Sequence, residues 1–115
     1  EMVLYKLERE HLLNDADFAR QWVEARSGRK LGRSRIAQEL RRKGIDADEA
    51  EEALSAIGED AQLADAIALA EKAAARAKSD EDPRKTYQRI AAMLARRGFR
   101  WDITKEALAQ VLQAD

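Results

Sequence analysis

A chain of 115 residues, 37% charged and 45% apolar, with five glycines and one proline, has the composition of a helical protein with a thin, alanine-rich core. It has no cysteine, which excludes disulfides and thiolate metal sites, and no apolar run approaches the roughly 20 residues a membrane span needs. The formal net charge of −1 hides strong segregation: residues 20–43 carry nine Lys or Arg against Glu24 and Glu39, residues 44–71 carry nine acids and no base, and residues 72–100 carry nine bases against Asp80, Glu81 and Asp82.

Residues 2–12 read as a short helix with Leu4 and Leu7 inward. Asn14 or Asp15 can cap a second helix over about 15–27, whose apolar face holds Phe18, Ala19, Trp22 and Val23. Gly28 and Gly32 bracket a basic loop. The next helix, about 34–43, buries Ile36, Ala37 and Leu40, and Gly44 can stop it in a left-handed conformation. Asp46 with Glu49 three residues on has the pattern of a capping box and opens a helix ending near Ile57. A long alanine-rich helix follows over about 60–78, with Leu63, Ala66, Ile67 and Ala70 inward. Asp82 and Pro83 suit the N-cap and first position of a helix over about 83–97, ended by Gly98. The last helix spans about 101–112. No segment alternates like a strand.

Part of the chain occurs twice. Ser34 to Ile57 returns 54 residues later as Gln88 to Val111 without a gap, and ten of the 24 paired positions are identical. They are Arg35/Arg89, Ile36/Ile90, Ala37/Ala91, Leu40/Leu94, Arg42/Arg96, Gly44/Gly98, Asp48/Asp102, Glu52/Glu106, Ala53/Ala107 and Leu54/Leu108. A repeat of small helical units marks an array in which neighbours stack. The expected architecture is therefore all-α: a terminal helix in 1–13, a three-helix repeat in 14–58 and another in 59–115, forming an elongated curved array. One departure is Glu49, which pairs with Ile103 and is expected to be exposed where Ile103 is covered.

Chemistry of an enzymatic kind has little to stand on. His11 is the single histidine and reads as a surface residue; Asp15 and Asp17 fall on different helix faces; Gly28 and Gly32 lack phosphate-loop spacing. No cofactor or metal site is expected. The cations are the better lead. Arg35 and Arg42 are seven apart, within roughly 20° of each other on a helix and away from the apolar stripe, and Arg89 and Arg96 reproduce them. Internal pairing with the recurring Glu52 and Glu106 would explain such arginines, and so would contact with phosphates or carboxylates of a partner. The candidate partner-contact residues are Arg26, Arg29, Lys30, Arg33, Arg35, Arg41, Arg42 and Lys43 in the first unit. In the second they are Lys72, Arg76, Arg89, Arg96 and Arg97. Phe18, Trp22, Tyr87 and Phe99 fall at inward positions, so no row of exposed aromatics is expected to stack nucleic-acid bases.

Two segments carry a resemblance. Asn14-Asp15-Ala16-Asp17-Phe18-Ala19, Arg26 and Ile36 through Ile45 resemble the second repeat of RecX regulatory proteins. Lys72, Ile90 through Leu94 and Arg96-Arg97-Gly98-Phe99 resemble the third. The resemblance implies three-helix repeats that bind the RecA recombinase filament on DNA and suppress its ATP hydrolysis and strand exchange. Composition and the residues themselves lead to the expectation of a cytoplasmic, non-enzymatic monomer. The competing readings are a stand-alone helix-turn-helix-like DNA-binding module and a helical adaptor for another protein.

Overall fold

A computed structural model describes residues 15–113, which form six helices and no strand. The helix expected over 2–12, the unit assigned to 1–13 and His11 lie outside the described residues. The helices are α1 (Asp15–Ser27), α2 (Arg33–Arg42), α3 (Ala47–Leu54), α4 (Glu59–Ala75), α5 (Pro83–Arg96) and α6 (Trp101–Leu112). Their ends follow local chemistry. The Asp46 side chain accepts the Asp48 N–H at the start of α3, and Asp82 accepts the Arg84 N–H at the start of α5, where Pro83 takes the first turn. Gly44 and Gly98 close α2 and α5 at φ +80° and +97°, values a side chain rarely tolerates. α4 stops at Ala75 rather than Lys78. The sequence from Arg76 onward offers charged and polar residues without an apolar face to bury.

Helices α1–α3 enclose one core: Phe18, Trp22, Val23, Leu31, Ile36, Leu40, Ile45, Leu54 and Ile57 are buried together. Helices α4–α6 enclose a second, built on Ala66, Ala70, Ile90, Leu94, Phe99, Ala107 and Leu108, with Leu63, Ile67, Tyr87, Ile103 and Val111 packed around it. In each unit the first helix runs along the third, and the extensive helix-to-helix contacts stay within a unit. Ile103 joins the second core while its counterpart Glu49 is exposed, as the repeat alignment anticipates. The result measures 54 × 25 × 19 Å. Its radius of gyration of 16.0 Å exceeds the about 13 Å of a compact domain of this size.

What joins the units is chiefly backbone, with two polar side chains set on it. The N-terminus of α2 abuts the C-terminal turn of α5: the Gly32 N–H donates to the Arg97 carbonyl at 2.7 Å, and the Ser34 N–H to the Gly98 carbonyl at 3.1 Å. The intervening Arg33 N–H donates to Gln62 Oε1 at 3.0 Å, from a side chain that is 3% exposed. Orphan donors of one helix thus meet orphan acceptors of another, and the positive end of α2 faces the negative end of α5. A Cβ on Gly32 would lie 2.2 Å from the Gly98 backbone, and a Cβ on Gly98 would lie 2.4 Å from Arg35 Cβ, so the approach requires glycine on both sides.

Candidate partner-binding groove

The end-to-end meeting of α2 and α5 brings together cations that are far apart in sequence. Arg35 from the first turn of α2, Lys72 from the last turn of α4 with Arg76 just past its end, and Arg96 at the end of α5 with Arg97 just past it wall an open groove of about 490 Å³. Leu69, Ala73 and Met93 supply the rest of its lining, and none of the lining residues is acidic. Lys72 and Arg76, the second capping the C-terminus of α4 with a right-handed helical backbone, sit one turn apart, a spacing of about 5–6 Å between their Cβ atoms. Five positive charges around an apolar strip, of which Arg35 alone has a carboxylate beside it, that of Glu39 outside the lining, form a local field that attracts an extended polyanion.

Arg97 is held in place from across the junction. Its Nε donates to the Lys30 carbonyl at 3.2 Å and its Nη2 to the Arg29 carbonyl at 2.7 Å. Lys30 itself has φ +58°, a left-handed backbone that sets the loop carbonyl beneath the guanidinium. Arg35 lies 3.7 Å from Glu39, which also takes the Arg26 guanidinium at 3.0 and 2.8 Å and the Trp22 indole N–H at 2.9 Å. Burial pushes the Glu39 carboxyl up. The hydrogen bonds from Arg26 and Trp22, with the charges of Arg26 and Arg35, outweigh that push and leave it below its ordinary value.

The other candidate residues are distributed differently. Arg26 points inward, 14% exposed at its side chain, and braces the first repeat through Glu39. Lys43 lies over the Trp22 ring at 5.3 Å from the centroid. Arg33 gives its N–H to the junction and its guanidinium sits 4.0 Å from Glu51. Arg29 and Lys30 contribute carbonyls to Arg97. Arg41 and Arg42 are exposed on α2 and do not line the groove. Arg89 bonds Glu81 at 2.9 Å, and the Glu81 carboxyl is lowered by its hydrogen bonds from Thr86 and Arg89. Of the four arginines that recur between repeats, Arg35 and Arg96 therefore converge, while Arg42 and Arg89 lie elsewhere. Glu52 and Glu106, the expected internal partners, hold none of them: the Glu106 carboxylate accepts from Gln110, and the arginines with acidic partners use Glu39 and Glu81. Glu39 and Gln62 were missed from sequence. Glu39 stands four residues after Arg35, a helical ion-pair spacing that could have marked it, whereas nothing local marks Gln62.

A second groove, also about 490 Å³, lies among α1, the end of α3 and α4. It is lined by Val23, Ala53, Ala56, Ile57 and Ala61 and edged by Arg20, Glu24 and Asp65, so its charges are mixed. Trp101, 58% exposed at the start of α6, is the single large apolar side chain exposed among the described residues. Among those residues no group of His, Asp or Glu is placed to hold a metal ion, and no helix is long and apolar enough to cross a membrane.

Comparison with known proteins identifies relatives over the whole chain. Residues 14–54 match the family model described as RecX, second three-helix domain, and residues 60–108 match RecX, third three-helix domain. The Regulatory protein RecX of Clostridioides difficile is 36% identical over all of this chain and 54% of its own length. That of Mycobacteroides abscessus is 40% identical over 95% of this chain and 56% of its own length. A crystal structure of RecX from Lactobacillus salivarius superposes with a TM-score of 0.80 at 30% identity, covering 96% of this chain and 71% of that one. The chain spans just over half the length of these two curated relatives.

Proposed function

The chain belongs to the RecX family, and on that premise we propose that it binds the RecA recombinase filament on DNA and restrains ATP hydrolysis and strand exchange there, modulating recombination and DNA repair. It does so as a monomeric, cytoplasmic, non-enzymatic regulator. The observation that carries the reading is the groove at the repeat junction, where Arg35, Lys72, Arg76, Arg96 and Arg97 line one cleft without an acid. A filament of protein on DNA offers carboxylates and phosphates in extended rows. An elongated array whose cations are concentrated at its joint, flanked by acidic helices, matches such a mixed surface better than it matches a compact ligand. Arg41 and Arg42 are further exposed cations on α2, outside the groove.

The stand-alone helix-turn-helix reading is weakened by α3. In that motif the helix after the turn enters the major groove. Here that helix exposes Asp48, Glu49, Glu51 and Glu52, which repel a phosphate backbone. The test of the proposed function is a coupled assay of RecA ATP turnover on single-stranded DNA. Turnover falls as the chain is added in increasing molar excess over filament sites; unchanged turnover at large excess sinks the proposal.

A further inference from the structure

We infer that the junction groove is a phosphate-backbone site for single-stranded nucleic acid that neither repeat forms alone, assembled by the Gly32–Gly98 backbone contact and aimed by the loop carbonyls that hold Arg97. The groove is the one on which the filament-regulator reading rests. Binding measured without recombinase separates the two.

The site is composite by construction. Arg35 comes from the first repeat and Lys72, Arg76, Arg96 and Arg97 from the second. The distance between the two sets is not maintained by any shared hydrophobic core, because each core closes within its own repeat. It is maintained where Gly32 and Ser34 donate to the Arg97 and Gly98 carbonyls. Arg97 is tied into the same contact: one edge of its guanidinium lies on the Arg29 and Lys30 carbonyls, and the rest of its five N–H donors remain for an anion. A guanidinium fixed on one edge loses less side-chain entropy on binding than a free one. Lys30 holds a left-handed backbone, uncommon outside glycine, in presenting its carbonyl there.

The geometry favours a phosphodiester chain over a carboxylate-bearing segment. The groove is open along its length, its cations are spread over three helices instead of focused on one point, and the strip between them is apolar. A strand can lay successive phosphates on such a row while its sugars cover Leu69, Ala73 and Met93. Binding of this kind releases counterions and weakens steeply with salt.

The test is a fluorescence-anisotropy titration of a labelled oligothymidylate with the full chain at two salt concentrations, without RecA. The unaltered chain binds at low salt. The double variant Lys72→Gln with Arg96→Gln loses about tenfold or more in affinity, and its salt slope flattens by about one to two. Gly32→Ala removes no charge, yet forces the junction apart and loses affinity to a similar degree, with helix content by circular dichroism retained. Arg97→Lys keeps the charge and still weakens binding severalfold, and it decides the matter if Gly32→Ala loses helix content. Lys105→Gln, an exposed cation on α6 outside the groove, changes affinity less than about twofold. Three results overturn the inference: no binding of oligothymidylate at low salt; a Gly32→Ala chain with its helices intact, or failing that an Arg97→Lys chain, that binds like the unaltered one; or displacement of the oligonucleotide by oligoglutamate at equal charge concentration, which assigns the groove to an acidic protein segment. ATP turnover unaffected by a chain that binds oligothymidylate in this way defeats the filament proposal and leaves the groove standing.

Discussion

Glu39 connects three side chains whose types alone suggest unrelated roles. Trp22 reads as core, Arg26 and Arg35 as surface cations, yet one carboxylate accepts from Trp22 and Arg26 and sits beside Arg35. Removing it leaves a largely buried guanidinium and an indole N–H without their acceptor. Glu39→Ala should therefore destabilise the chain by about 2–4 kcal/mol, measured by urea denaturation. The pH dependence has a defined sign. A carboxyl held below its unfolded value contributes stability that is complete above the ordinary glutamate range and is lost as pH falls through the lowered folded-state value. Glu39→Gln should flatten the acid limb of the stability profile in that window, and an unchanged limb would show that other carboxylates dominate it.

Two glycines at equivalent places in the repeat separate a helix cap from a helix junction. Gly44 and Gly98 both end their helices at positive φ, but a Cβ on Gly44 meets nothing within 4 Å whereas one on Gly98 runs into Arg35. Gly44→Ala should cost about 1–2 kcal/mol, the penalty of a left-handed backbone alone. Gly98→Ala should cost clearly more, and the comparison of melting temperatures checks it. Gln62 works at the same joint from α4: its Oε1 caps the Arg33 N–H that the α2 N-terminus leaves open. Gln62→Ala should lower stability by about 1 kcal/mol while leaving helix content unchanged by circular dichroism.

The whole molecule behaves as two cores in series. Stability of such an array is a sum of the units plus the interface between them. Among the described residues the interface is a handful of backbone hydrogen bonds, one capped helix end and the Arg97 guanidinium on two loop carbonyls, while each buried core closes within its own unit. Calorimetry of the unaltered chain should show one cooperative transition, and Gly32→Ala should broaden or split it, because the units then unfold independently. Solution scattering should report a larger radius of gyration for the same variant. An unaltered transition and radius would mean that the repeats are held together by something other than this contact.

Much of the architecture was legible in the residues themselves. Apolar spacing placed six helices within a few residues of their ends, Asp82-Pro83 and Gly98 marked two boundaries, and the internal duplication announced tandem units, because periodicity, caps and turn glycines act locally and leave local signatures. The charge blocks also showed which helices are basic. Which cations face one another was decided only by the fold. Arg35 and Arg96 stand 61 residues apart and converge because a helix end meets a helix end through backbone groups. Main-chain hydrogen bonds of that kind are made by every residue type alike, so apart from two glycines that look like ordinary turn residues, they leave no pattern to read.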